Sequence, residues 1–349
     1  MFYYLQENNT AGVNAGTKAR NDVEKILFQI KGKPIQAPKA HNKLPHGNRL
    51  IFYIKLKKWL KEINSVLPLN SYLFLQYPLM TKFDNSNDRI DYTYLFPKLA
   101  NKYKLIVLIH DLPELRNISK RNSINDLKKA DYIISHNEEM TNFLCGQGIS
   151  KDKIVDLNIF DYLISQKNIS DHYEDKNLIC FAGNLEKSQF IYKLPKNILQ
   201  LGVNLYGTGY KGNHIGLNYK GTYSSEKIHS VIRGRYGLIW DGDSIKTCSG
   251  ILGEYMRYNN PHKMSMYFVA NMPVVVWKYA AAAKFVKKYK VGIVVDNLNE
   301  LSKLNNIDRD TYNEMVNNVK KLKSKLMKGY FLKTSLGEIN SKMEDKTHD

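Results

Sequence analysis

The sequence predicts an α/β protein of two doubly wound halves facing a cleft. Three observations lead there. Short apolar runs alternate with segments of helical spacing along the 349 residues. A polar, aperiodic stretch at 165–177 interrupts this alternation, which then restarts. Small or polar residues stand directly after most of the apolar runs. Alternating strands and helices imply parallel sheets joined by right-handed crossovers. In such sheets ligands sit outside the carboxyl ends of the strands.

The first half opens with a strand at Phe2–Leu5 and a polar loop, 6–16, that contains Gly12 and Gly16. Thr17 can cap a helix whose Val23, Ile26, Leu27 and Ile30 share one face. The glycine spacing does not match the dinucleotide fingerprint. Residues 31–48, with Pro34, Pro38, Pro45 and Gly47, read as a loop. Leu50–Leu67 reads as a helix mixing Phe52, Ile54, Leu56, Trp59, Leu60 and Ile63 with Lys55, Lys57, Lys58 and Lys61. Such a helix either covers a sheet with its lysines in water or lies on a membrane surface. Tyr72–Gln76 is a strand and Ile90–Tyr103 a helix. Leu105–Ile109 is the continuous apolar run expected of a central parallel strand, and His110-Asp111 follows it. Asp131–Ser135 is the next strand, followed by His136-Asn137, a helix at Glu138–Cys145 and a strand at Lys153–Leu157.

The second half begins with a strand at Leu178–Ala182, ended by Gly183-Asn184. Asn204–Tyr206 precedes Gly207-Thr208-Gly209, and Tyr236–Trp240 precedes the turn Asp241-Gly242-Asp243-Ser244. Asn260 is a good N-cap and Pro261 suits a first helical position, placing His262 and Lys263 in the first turn. Asn271 can close that helix in a left-handed conformation, and Pro273 prevents it continuing. Strands at Val274–Trp277 and Gly292–Asp296 flank a helix around Ala280–Lys288. A helix at Asp308–Met327 and another after Gly329 end the chain. The expected division is an N-terminal domain 1–164, a linker 165–177, a C-terminal domain 178–328 and a helix 329–349 returning to the first domain. Free N–H groups and a lysine at a helix start favour a phosphate-bearing ligand.

The formal net charge is +19. Basic chains attract nucleic acid, anionic membranes or phosphorylated ligands. No RNA-recognition signature, zinc-finger spacing or helix-turn-helix pattern is present, so no nucleic-acid partner is expected. Cys145, Cys180 and Cys248 form no CxxC pair, so reduced thiols in a cytosolic protein are expected rather than disulfides or zinc. No apolar run approaches the roughly 18 residues of a membrane span, so any membrane contact is peripheral. The N-terminus lacks a signal-peptide pattern.

Several blocks resemble the bacterial galactofuranosyltransferases of O-antigen and capsule synthesis and their glucosyltransferase relatives. They are NAGTKAR at Asn14–Arg20, IHDLPELR at Ile109–Arg116, ADYIISHNEEMTNFL at Ala130–Leu144 and IFDYL at Ile159–Leu163. AGNLEKSQFIY at Ala182–Tyr192, GLIWDGDSIKTCSG at Gly237–Gly250 and YNNPHKMSMYF at Tyr258–Phe268 continue the likeness. Residues 31–70 match least.

The resemblance implies a GT-B-like fold of two Rossmann-like domains. It also implies a UDP-sugar donor in the C-terminal half, a glycan acceptor on a lipid carrier in the N-terminal half, and inversion in a single displacement. UDP-galactofuranose is the implied donor, with UDP-glucose or another UDP-hexose, or a non-catalytic sugar-nucleotide-binding subunit, as alternatives. It suggests visits to an anionic membrane surface and a homo-oligomer.

Roles then attach to residues. Asn14, Ala15 and Gly16 would form a loop over the donor, supported by Arg20. Gly183 and Asn184 would let backbone approach the diphosphate, and Tyr206 would flank uracil. Asn260, His262 and Lys263 would open the helix that holds the pyrophosphate, and Lys263 would neutralise the departing UDP in place of a metal. Trp240, Asp241 and Asp243 would line the sugar end. Direct displacement needs a general base. His110 is preferred, with Asp111 orienting it or taking its role, and Asp241 and Asp243 as further carboxylates. Asp241-Gly242-Asp243 looks like a metal-binding DxD, but within this resemblance it reads as a turn, and no metal or other cofactor is expected.

Overall fold

The computed structural model describes residues 2–7, 15–38, 48–82, 89–116, 122–165, 172, 175–212 and 214–348. The first half contains β1 (Tyr3–Gln6), β2 (Lys33–Gln36), β3 (Tyr72–Tyr77), β4 (Met80–Lys82), β5 (Arg89–Asp91), β6 (Lys104–Ile109), β7 (Tyr132–Ser135) and β8 (Ile154–Asp156). Six of them form a parallel sheet in the order β2-β1-β3-β6-β7-β8, while β4 and β5 pair antiparallel. The second half contains β9 (Ile179–Ala182), β10 (Val203–Tyr206), β11 (Leu217–Tyr219), β12 (Tyr236–Ile239), β13 (Val274–Trp277) and β14 (Gly292–Val295). They form a second parallel sheet, β11-β10-β9-β12-β13-β14. In both sheets the strand order reverses beside the first strand of the unit, which opens a crevice at the carboxyl ends.

Alternation along β3 and β6 assigns each side chain to a face. Leu73, Leu75, Val107 and Ile109 pack with Leu56, Trp59 and Ile63 of the helix Asn48–Val66. That helix covers the sheet while Lys57, Lys58 and Lys61 stay exposed. Phe74, Ile106 and Leu108 belong instead to an apolar cluster that continues through Ile159 and Phe160 into the second sheet. The two halves are therefore joined by packed apolar surface, not by a tether alone.

The final helix, Tyr330–His348, lies against β8 and the first helix. The Asp161 carboxylate accepts hydrogen bonds from the backbone N–H groups of Phe331 (3.2 Å) and Leu332 (2.8 Å) at its start. Ser335 Oγ donates to Asp156 O at 3.2 Å. Within 165–177, residues 166–171, 173 and 174 lie outside the described residues. His172 is buried, and its Nε2 bonds Ala270 O at 2.9 Å, tying this stretch to the second half.

Four local expectations are corrected. Residues 33–36 form a strand because β2 is an edge, where Pro34 needs no partner on its open side. Residues 90–103 are not one helix: β5 pairs with β4, and a 3₁₀ turn Thr93–Leu95 precedes a short helix Phe96–Ala100. The first helix starts at Ala15, so Thr17 is a buried helical residue and not its cap. The helix expected from Pro261 starts at His262, with Pro261 in the cap position and no side-chain cap bond. Asn271 does adopt φ +59° just past that helix.

Candidate active site

The carboxyl ends of β3, β6 and β7 meet the start of the helix His262–Val269 across a cavity of about 240 Å³. Gly16, Ala19 and Arg20 form one wall, Pro78 and Met80 another, His110, Asp111 and His136 a third. Phe160, between the two sheets, and residues 259–262 of the second half close it.

Phe160 is the hub of this arrangement. Its ring stacks on His110 (5.3 Å, 19°) and meets His136 edge-on at 4.9 Å and His262 at 6.2 Å. It lies in the crossover between the sheets, within the block IFDYL, and its aromatic character was the only sequence signal for it. His110 Nε2 is 2.8 Å from Gln76 Oε1.

Asp111 is held by Arg116, whose Nη1 donates to its carboxylate at 2.8 Å. Tyr255, from the second half, contacts the same region, and Leu112 N donates to its hydroxyl at 3.3 Å. The surrounding protein strips water from Asp111 and raises its pKa, against the opposing pull of Arg116 and Arg20. Arg20 is buried and paired with Glu7, and it donates to Pro78 O at 2.9 Å. It thus fixes the turn after β3 that forms part of the cavity wall. Asn14 lies outside the described residues, while Ala15 and Gly16 belong to the first helical turn and not to a loop.

His136 is fully buried and neutral, its pKa pushed down to about 4 by loss of hydration. Its Nε2 donates to Ile109 O at 3.0 Å, leaving Nδ1 to accept from Asn260 N at 3.0 Å. Asn260 is 4% exposed, and its amide is committed: Nδ2 donates to His136 O (2.5 Å) and Asn158 O (2.8 Å), and Oδ1 accepts from Asn137 Nδ2 (2.8 Å). The expected helix-capping role of Asn260 is therefore replaced by a clamp between the two halves. Asn137 itself caps the helix Glu138–Gly146, its Oδ1 accepting from Met140 N.

His262 stacks on Tyr162 at 4.9 Å, and its Nε2 is closed from solvent without a protein partner among the described residues. Burial, with Lys18 nearby, lowers its pKa to about 3. One residue on, Lys263 Nζ lies 4.7 Å from the centre of the Phe181 ring and 3.6 Å from where a Cβ on Gly183 would stand. Lys263 and Gly183 are thus neighbours at the carboxyl end of β9. Gly207 stands behind them with φ +130°, and a Cβ there would fall 1.8 Å from Gly183 O. Asn184 is exposed, and its Oδ1 accepts from Lys187 N at 3.0 Å.

Two expected donor residues are committed to contacts within the protein. Tyr206 is 2% exposed, and its hydroxyl accepts from Arg233 N at 3.0 Å. It faces a separate hollow with Asn177, Asn204, Lys220 and Tyr223. Trp240 is fully buried against Phe190 and Trp277. Its Nε1 donates to Ser244 O at 2.9 Å, so it shapes the following turn without lining open space. In that turn Gly242 has φ +104°, the Asp243 carboxylate accepts from Ser249 Oγ, and Lys193 Nζ donates to Asp243 O at 2.7 Å. The Ser249 bond holds the Asp243 carboxyl below its usual pKa. Asp241 is half-buried beside it. Among the described residues, no cluster of three His, Cys, Asp or Glu side chains is arranged to hold a metal.

Comparison with known proteins places this geometry in context. Residues 2–159 match the glucosyltransferase 3-like N-terminal domain, and residues 179–339 match the corresponding C-terminal domain. The chain is 32% identical over 343 residues to the β-1,6-galactofuranosyltransferase WbbI of Escherichia coli K12, covering 97% of this chain and 98% of that one. Glucosyltransferase 3 of Streptococcus gordonii is 27% identical over 252 residues, 69% of this chain and 71% of its own. Among solved structures, a sucrose-phosphate synthase from Thermosynechococcus elongatus superposes with a TM-score of 0.63 at 11% identity, covering 99% of both chains. HepE of Anabaena, in complex with UDP and glucose, superposes with a TM-score of 0.53 at 11% identity, covering 97% of this chain and 99% of that one. The fold is GT-B-like. The chain belongs to the glucosyltransferase 3-like family and is a glycosyltransferase.

Proposed function

We propose that this enzyme transfers galactofuranose from UDP-galactofuranose to a hydroxyl of a lipid-linked glycan, forming a β-linkage by single inverting displacement. The observation that carries the donor choice is the likeness to a galactofuranosyltransferase along nearly the whole chain. HepE, crystallised with UDP and glucose, supports a nucleotide-sugar donor. In this reading the diphosphate lies by Gly183, at the start of the helix His262–Val269, where Lys263 and the free N–H groups face it. His110 takes the proton of the acceptor hydroxyl as its oxygen attacks the anomeric carbon. The bond from that carbon to the β-phosphate oxygen breaks, and UDP leaves with its charge met by Lys263. His110 is preferred over Asp111 because Arg116 already occupies the Asp111 carboxylate. No metal is needed for this charge balance.

The test is transfer by purified protein with a panel of UDP-sugars, and NMR of the product anomer. Galactofuranosyl transfer with a β product, undiminished by excess EDTA, is expected. An α product, or activity restored only by Mn²⁺, overturns the mechanism. Preference for UDP-glucose would favour the second reading, which the streptococcal relatives support.

A lipid-linked acceptor requires the enzyme to visit a membrane surface. Among the described residues no helix is long and apolar enough to cross one. The helix Asn48–Val66 exposes Lys57, Lys58 and Lys61 near Ile54, which is 59% exposed. Salt-sensitive co-sedimentation with anionic but not neutral vesicles is expected, and equal binding to both would count against this surface.

A further inference from the structure

Gln76 is the last but one residue of β3, 2% exposed in an otherwise apolar strand. A buried amide must place its donor and acceptor ends correctly. Its Nε2 donates to Arg20 O at 3.3 Å, and its Oε1 lies 2.8 Å from His110 Nε2. Reversing the amide would set its oxygen against the Arg20 carbonyl, two acceptors face to face. Only one orientation therefore satisfies both contacts. In it Oε1 can only accept, so His110 Nε2 must carry the hydrogen. For a neutral imidazole that puts the lone pair on Nδ1. The ring cannot turn over easily, because it is stacked on Phe160. Arg20 is itself held by Glu7 and Pro78 O, so the carbonyl that orients the amide belongs to a fixed helix turn.

We propose that Gln76 is a positioning residue that fixes the tautomer of His110, so that Nδ1 is the nitrogen that takes the acceptor's proton. This rests on the reading of His110 as the base. Gln76 touches neither substrate; it acts through the ring it holds.

The test has two readouts. The first needs no activity: ¹⁵N NMR of histidine-labelled protein above pH 8, with the His110 signals assigned by their loss in His110→Gln. Wild type is expected to show a single Nε2–H tautomer, and Gln76→Leu a mixture. The second is the pH profile of kcat/KM. Gln76→Glu sets a carboxylate against the ring and should move the acid limb up by about 1 unit. Gln76→Leu should lower kcat about 10- to 100-fold, with donor KM within about 2-fold. A merely structural role would lower thermal stability without moving the acid limb or the tautomer.

If wild type shows the Nδ1–H tautomer, or Gln76→Leu keeps a pure Nε2–H ring, the inference is overturned. An unmoved acid limb in a folded Gln76→Glu variant overturns it as well. Full activity of His110→Gln would instead overturn the base assignment, while the NMR result would still decide whether Gln76 sets the ring. Should Gln76→Leu fail to fold, Gln76→Glu and the wild-type spectrum carry the same decision.

Discussion

His136 and Asn260 are joined across the junction of the two sheets by two hydrogen bonds, both donated by Asn260. The Asn260 backbone donates to His136 Nδ1 at 3.0 Å, and Asn260 Nδ2 donates to His136 O at 2.5 Å. Each residue sits beside the cavity yet is spent on joining its walls. Asn260→Ala takes one of two acceptors from the Asn137 amide, which keeps Tyr258 O, and removes the Asn260 donor from two carbonyls in a buried place. A loss of about 2–4 kcal/mol is expected in denaturant unfolding, with donor affinity falling as the halves lose their alignment.

The same pair gives the protein a defined acid response. His136 is pushed down to about 4 in the folded chain, against about 6.5 when unfolded. The unfolded chain then binds more protons between these values, so this contribution is complete above about pH 6.5 and is lost as pH falls towards 4. Asp161 works with the opposite sign. Burial raises it to about 7, so its contribution is complete below about pH 4 and is lost as pH rises through 7. Melting temperatures from pH 4 to 8 check both. His136→Asn, whose oxygen can still accept from the Asn260 amide, should flatten the acid side. Asp161→Asn should match wild type at pH 5 and exceed it at pH 8.

Lys263 lies beside Gly183 without an acidic partner among the described residues. Lys263→Ala should weaken UDP binding by roughly 2–4 kcal/mol, since a charge-assisted phosphate contact is lost. Calorimetric titration with UDP measures this. Unchanged affinity would remove Lys263 from the diphosphate site.

Gly207 combines φ +130° with a Cβ position 1.8 Å from Gly183 O. Gly207→Ala must move the backbone that faces Lys263. About 2 kcal/mol or more of stability should be lost, and UDP affinity should fall with it, while Gly146→Ala, where an added Cβ meets nothing within 4 Å, serves as the control.

The central strands were legible because Leu105–Ile109 and Val274–Trp277 are uninterrupted apolar runs, and their burial on both faces requires this. The edges were not. β2 carries Lys33 and Pro34, and β11 is three residues long, so neither needed a strong pattern to pair on one side only. Local rules also misplaced polar residues whose partners are far away in sequence. Asn260 looks like a helix cap, but its partners are His136 and Asn158, more than 100 residues earlier. Tyr206 follows the logic of a strand end, yet its neighbour Arg233 turns its hydroxyl into packing. Gln76 was readable in principle, as one amide inside the run YLFLQY. His110, Gly183 and Lys263 stand where the sequence placed them, after two strands and in the first turn of a helix, because local geometry alone decides those positions.

The last helix, Tyr330–His348, completes the sheet that begins at Tyr3. During synthesis the first sheet is therefore made well before the helix that covers it. Until that helix emerges, β8 lacks its covering and the Asp161 carboxylate lacks the backbone donors of Phe331 and Leu332. A truncated or stalled nascent chain thus displays an uncovered apolar face on its earliest-made part.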